Sequence, residues 1–284
     1  MPEVESLARF LTDKCVGHSI ARIDLVAFSA LKTYDPPLSA LHGLEIESVT
    51  RRGKFLDLSA QGLHLVFHLA RAGWLRWRDS LPDEPPRPSK SPLALRLRLD
   101  DSSGFDLTEA GTQRKLAIYV VTDPLSIPMV ATLGPDPLTD EFDQPALAGV
   151  LAKAGRAQLK GVLKDQRTIA GIGNAYSDEI LHAAKLSPFK PSNSLTEAEL
   201  STLFAAIKGE LADAIQRAEG LAAKDLKGEK KSGLRVHGRT GEKCDVCADT
   251  IAEVSFADSS LQYCPTCQTG GKKLADRRLS KLLK

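Results

Sequence analysis

The sequence predicts an α+β protein in two halves, the first built of short strands and the second of helices, closed by a cysteine module. Three observations predict it. Between about Ile20 and Val121 the chain runs through short apolar stretches, several alternating with period two and broken by Gly, Pro and Asp, the pattern of an antiparallel sandwich or barrel. From about Gln144 to Ala223 the apolar residues recur at three- and four-residue spacing, the period of packed helices. Near the end, Cys244-x2-Cys247 and Cys264-x2-Cys267 stand sixteen residues apart, a metal-ligand spacing.

The first element is a helix over Glu5 to Lys14, where Leu7, Phe10 and Leu11 share a face and Gly17 follows as a stop. The stretches ARIDLVAF, LEIESV, KFLDLSA, LHLVFHLA, GWLRWRD, LALRLRLD and KLAIYVV read as strands, and the Pro-rich LPDEPPRPSKSPL as a loop between two of them. The turn-rich LGPDPLTDEF, Leu133 to Phe142, separates the halves. QPALAGVLAKA, GRAQLKGVLKD, NAYSDEILHAAKL and LTEAELSTLFAAIKGELADAIQRA follow as helices, the last with Ser194 ahead of it as a start signal. Domains are expected at 1–132, at 144–228 after a linker over 133–143, and at 229–284.

The 38 Lys+Arg nearly balance the 36 Asp+Glu, for a net charge of +2, yet Leu221 to Lys284 carries 13 basic against 8 acidic residues. A basic end on a near-neutral chain points to an anionic partner, nucleic acid first, against a plain solvated tail. No run of apolar residues reaches membrane-spanning length and the N-terminus lacks the basic-then-apolar pattern of a secretory signal, so a cytoplasmic location is expected. That location disfavours two disulfides, and a redox pair explains one Cys-x2-Cys but not two. Cys244, Cys247, Cys264 and Cys267 therefore read as a tetrahedral S₄ shell for one structural Zn²⁺, with IAEVSFADSSLQY as a β-hairpin between the knuckles and its tip near 257–260. Cys15 reads as a buried spare thiol.

Gly171-Ile172-Gly173-Asn174 joins two helices, so it is no dinucleotide fingerprint, which needs a strand before it. Its backbone N–H groups and the following helix start form an anion nest within reach of Lys160; the plainer reading is an ordinary glycine-rich connection.

Taken together, Met1-Pro2-Glu3, Arg52-Gly53-Lys54-Phe55, His68-Leu69, Leu133-Gly134-Pro135-Asp136-Pro137-Leu138, Asp165-Gln166, Gly171-Ile172-Gly173-Asn174-Ala175-Tyr176 and Tyr263-Cys264-Pro265-Thr266-Cys267-Gln268 resemble the formamidopyrimidine-DNA glycosylase / endonuclease VIII family over nearly the whole chain. The resemblance implies two lobes, an N-terminal β-sandwich with a leading helix and a C-terminal helix–two-turns–helix domain with a zinc finger, and double-stranded damaged DNA held in the cleft between them by a monomer. It implies a base-excision glycosylase with AP lyase activity, in which Pro2, freed of Met1, attacks the sugar C1′ as a secondary amine, Glu3 is the acid/base carboxylate, Lys54 sits by the phosphate and deoxyribose, and Lys160 and Asn174 grip phosphates.

Three places differ from that pattern. The family's start is three residues longer ahead of the first helix, Ser259 stands where a finger arginine is usual, and Arg71 occupies the place of a void-filling methionine, with no Arg-Phe pair in the 107–113 loop. Ser259 is expected to weaken the finger's phosphate contact, and Arg71 to enter the duplex in the methionine's stead. The alternative reading is a non-catalytic paralogue that binds damaged or abasic DNA; a third is a finger that binds RNA or protein.

Overall fold

The computed structural model describes residues 1–86, 92–111, 113–256 and 259–275. The chain divides into two compact units: residues 2–132 with 218–228, and Met1 with 133–217 and 229–284.

The first unit opens with helix α1, Pro2–Cys15, three residues ahead of the predicted start because Pro2 suits a first helical turn, where its missing N–H costs nothing. Strands β1 (Ile20–Leu25), β2 (Ser48–Arg52), β3 (Phe55–Ala60), β4 (Leu63–His68), β5 (Gly73–Arg78), β6 (Leu93–Leu99), β7 (Gly104–Glu109) and β8 (Ala117–Val121) follow. They form two four-stranded antiparallel sheets, in order β1-β6-β7-β5 and β2-β3-β4-β8. Leu56, Leu58, Leu65, Phe67, Leu95, Leu97, Phe105 and Leu107 supply the apolar faces, and Leu7, Leu11 and Cys15 of α1 join the same core. This is the sandwich that the period-two stretches predict, because each strand hides alternate side chains against the opposite sheet. Cys15 is the quiet thiol expected of it: burial, then the Asp101 charge, push its pKa up to about 12. Residues 218–228 return to this unit, with Ala218, Ala223 and Leu226 in the core and Trp74 Nε1 donating to Ala223 O at 3.0 Å. Part of the Pro-rich loop, 87–91, lies outside the described residues.

A short helix α2 (Pro128–Ala131) ends the first stretch of the first unit, and the second unit contains α3 (Gln144–Ala154), α4 (Leu159–Lys164), α5 (Asn174–Ala183) and α6 (Glu197–Arg217). Thr196, not Ser194, caps α6: its Oγ1 accepts from Glu199 N at 3.2 Å and Glu199 Oε2 accepts from Thr196 N at 2.9 Å, a reciprocal box in which two orphan donors are satisfied at once. Leu147, Leu159, Leu163, Ile172, Ile180, Leu203, Ile207 and Leu211 form its core, and Met1 is buried with them. Helix α7 (Leu226–Ser232) leads to the cysteine module, with hairpin β9 (Ala252–Ser255) and β10 (Ser260–Tyr263) and helix α8 (Pro265–Thr269). Residues 257 and 258 of the predicted hairpin tip lie outside the described residues. Among the described residues no helix is long and apolar enough to cross a membrane.

Candidate nucleic-acid interface

In the second unit the glycine turn is held from beneath by Gln166, whose Oε1 accepts from Gly171 N at 2.9 Å and whose Nε2 donates to Ile172 O at 2.7 Å. Gly171 has φ +85°, a left-handed backbone conformation that strains any residue with a Cβ, and the tip of the Met1 side chain packs against it. The turn delivers Asn174 as the first residue of α5, whose N-cap is Gly173 without a side-chain cap.

Lys160, predicted to reach the same place, does so. Its Nζ donates to Asn174 O at 2.8 Å and to Asp178 Oδ1 at 2.5 Å. The sequence reading missed what surrounds it. Lys160 is 7% exposed, and the Asp178 carboxylate takes both Lys160 and His237, whose Nδ1 lies 2.7 Å from Asp178 Oδ2. Asn174 is engaged as well, with Nδ2 donating to Ser260 O at 2.8 Å and Oδ1 buried without a partner among the described residues. Beside them Glu179, 1% exposed, accepts the backbone N–H groups of Arg235, Val236 and His237 at 2.8, 3.1 and 2.8 Å. A chain segment with no regular structure is thereby held by one buried carboxylate, a charge-assisted arrangement stronger than neutral hydrogen bonds.

The four cysteines of the module converge. Their sulfur atoms lie within 4.8 Å of one another, Cys244 and Cys267 at 3.9 Å and Cys247 and Cys264 at 3.3 Å. Tetrahedral zinc with sulfur at about 2.3 Å needs sulfur pairs about 3.8 Å apart, so the donor set fits the ion. His182 Nε2 lies 3.3 Å from Cys244 Sγ, placed to donate to a thiolate. Ser259, one residue ahead of β10, is half-buried and its carbonyl accepts from Phe256 N at 2.7 Å; it brings no charge to the hairpin.

In the first unit the hairpin β2–β3 turns at Gly53, φ +59°. Arg51 fixes this turn to α1: Nε donates to Glu5 Oε2 at 2.8 Å and Nη1 to Gly53 O at 2.9 Å. Lys54 follows the turn, half-buried, and its charge acts on His68. Pro2 is buried in the first turn of α1, its carbonyl accepting from Ser6 Oγ at 3.0 Å, and Glu3 is half-buried next to it. Arg71 is exposed in the turn after β4, behind Ala70 with φ +54°.

Models of three domains match the chain in order: the formamidopyrimidine-DNA glycosylase N-terminal domain over residues 1–116, the formamidopyrimidine-DNA glycosylase H2TH domain over 133–225, and the zinc finger found in FPG and IleRS over 241–270. A formamidopyrimidine-DNA glycosylase of Symbiobacterium thermophilum is 35% identical over 98% of this chain and 92% of its own. The chain belongs to the formamidopyrimidine-DNA glycosylase family. An uncharacterized formamidopyrimidine-DNA glycosylase-like protein of Mycobacterium tuberculosis is 59% identical over 157 residues, 55% of this chain and 98% of its own. Among solved structures, the Lactococcus lactis formamidopyrimidine-DNA glycosylase, non-covalently bound to DNA containing an AP site, aligns with a TM-score of 0.81 and 28% identity over 95% of this chain and 99% of its own.

One further residue of this glycosylase-family chain follows from its surroundings rather than its spacing. His68 pairs with Phe55 across β3 and β4, their rings 4.8 Å apart. Burial, and then the Lys54 charge, push its pKa down to about 4. Its Nδ1 accepts from Ala70 N at 3.1 Å, so the neutral ring carries its proton on Nε2. The sign of the pH effect follows. Below the ordinary value of 6.5 the unfolded chain takes up a proton that the folded chain refuses, so stability is full above that pH and declines towards about 4. At pH 5 the decline due to His68 is about 1–2 kcal/mol. Urea unfolding at pH 7.5 and 5 should show it in the wild type and not in His68→Gln; equal losses in both would remove His68 as the cause.

Proposed function

We propose that this chain is a base-excision DNA glycosylase with AP lyase activity, acting as a monomer on damaged double-stranded DNA. The observation that carries the reading is the order of the three matched domains over a single chain whose second unit brings Lys160 of α4 and the four-cysteine module against α5, which begins at Asn174.

In this reading Pro2, once Met1 is removed, supplies an α-amine. Such amines titrate near about 7.7–8.0, so a useful fraction is neutral at physiological pH. The nitrogen lone pair forms a bond to C1′ as the bond from C1′ to the base breaks, and the base leaves with the electron pair and takes up a proton. The amine then gives up its N–H proton, its lone pair opens the C1′–O4′ bond as O4′ takes a proton, and the ring-opened product is an iminium. It acidifies the C2′ hydrogen, whose removal expels the 3′ phosphate, and a second elimination expels the 5′ phosphate. Water then frees the amine. Glu3 moves the protons, being a carboxylate one residue from the nitrogen. Lys54 meets the phosphate and deoxyribose. Lys160 and Asn174 meet flanking phosphates, Arg71 enters the duplex, and Ser259 stands at the finger's DNA-facing hairpin. Turning the damaged base out of the stack costs a few kcal/mol, least for a poorly paired lesion. Zinc held by Cys244, Cys247, Cys264 and Cys267 is structural, because four protein ligands leave no open position.

Incubation with duplex containing an abasic site in the presence of borohydride tests this. A covalent adduct through residue 2 is expected. Tight binding with no adduct and no strand cleavage would reduce the protein to a reader of damage.

A further inference from the structure

Helix α5 presents Asn174, Asp178 and His182 at successive four-residue steps, hence along one face. Each meets the cysteine module, through Ser260 O, His237 and Cys244 Sγ respectively. Among the described residues Asp178 is the one of these whose side chain also reaches Lys160 on α4, which the Asn174 backbone carbonyl meets as well. The Asp178 side chain is 0% exposed, and each oxygen has its own nitrogen partner: Oδ1 the Lys160 Nζ at 2.5 Å, Oδ2 the His237 Nδ1 at 2.7 Å.

We propose that Asp178 is the positioning residue of the phosphate grip: one buried carboxylate holds the Lys160 ammonium against the Asn174 carbonyl and, through His237, ties it to the seat of the cysteine module. The inference rests on the reading of Lys160 as a phosphate contact and adds what makes that contact work. An ammonium this deeply buried is costly without a counter-charge. Among the described residues two of its three N–H groups go to Asn174 O and Asp178 Oδ1, and the proposal gives the third to a phosphate oxygen. The groups facing Lys160 are Asp178 and Glu179 from α5 and Lys164 from its own helix, with His237 across the shared carboxylate. Burial draws the Lys160 pKa down, chiefly opposed by Asp178. Without the Asp178 charge, burial and Lys164 act downward and Glu179 alone acts upward. The amine then loses its proton at a lower pH, and a neutral amine has no charge to offer a phosphate.

The experiment uses the full zinc-loaded chain, a duplex carrying a tetrahydrofuran abasic analogue, and constant ionic strength. Wild-type affinity should vary little from about pH 6.5 to 9, whereas Asp178→Asn should bind about ten-fold more weakly at the upper end than at the lower. The double variant Asp178→Asn/Lys160→Met should lose that slope. A merely structural role for Asp178 would weaken binding equally at every pH, and that result would overturn the proposal. Lysine ¹³Cε NMR, with Lys160→Arg for assignment, gives a readout without DNA. The Lys160 titration should move down by roughly one to three pH units in Asp178→Asn, and an unmoved titration would also overturn it. If the wild type does not bind damaged duplex the functional reading fails, while this titration still decides the role of Asp178. If Asp178→Asn does not fold, Asp178→Glu, which keeps the charge, should retain the flat pH profile; a slope in that variant would count against the proposal.

Discussion

The Cys264→Ser variant is expected to lose its metal and on the order of a hundred-fold or more in affinity for abasic duplex, while the β-sandwich unit unfolds at its usual temperature. The module around the cysteines is small. Among the described residues its buried apolar side chains are Val236 and Ile251 by the sulfurs and Val254, Leu261 and Tyr263 behind the hairpin. So few side chains do not offset the entropy of ordering some dozens of residues, and metal binding supplies the missing folding energy. What the module holds is lost with it: the Asn174–Ser260 bond, the Asp178–His237 pair and the seat of residues 235–237 on Glu179. Among the described residues the sandwich core draws none from the module. Metal content by atomic emission, calorimetry and equilibrium binding check each part. Full affinity in a protein shown to be metal-free would remove the zinc from the account.

The second large effect is at Pro2. Pro2→Glu is expected to lower covalent trapping with abasic duplex by on the order of a thousand-fold or more, with affinity changed only a few-fold. The large second residue keeps Met1 in place, so the nitrogen of residue 2 becomes an amide and its lone pair is no longer nucleophilic. The helix should survive, since glutamate in a first turn opposes the positive end of the helix dipole. Mass spectrometry of both mature N-termini belongs to the experiment, because it states which nitrogen is free. Undiminished trapping in Pro2→Glu would assign the Schiff base to another amine, and lysine variants would then locate it.

Much of this protein is legible in local pattern. The strands of the sandwich show because alternate residues face a core, and the helices because a 3.6-residue repeat has one apolar stripe. The cysteine pairs show because two ligands on a tight turn need a fixed short spacing. Lys160 and Asn174 are found at the same turn for a related reason: the glycines that shape it are sequence neighbours of Asn174. The helix starts were less legible. Ser194 and Thr196 both have capping side chains, and only the backbone geometry selects Thr196.

No spacing rule announces Asp178, His237 or Glu179, which are 59 and 58 residues apart in the pairs Asp178–His237 and Glu179–His237. An isolated aspartate on a helix reads as solvated, because most are. Its burial, and hence the strength of its hold on Lys160, exists only once α4, α5 and the module approach to exclude water. The same holds for His68, whose neutral ring depends on desolvation and on a lysine that the β2–β3 hairpin brings near. Periodicity and ligand spacing are properties of neighbours along the chain, so they specify elements and metal donors. Desolvation and the sharing of one carboxylate are properties of neighbours in space, so the electrostatics of the candidate site belong to the folded molecule alone.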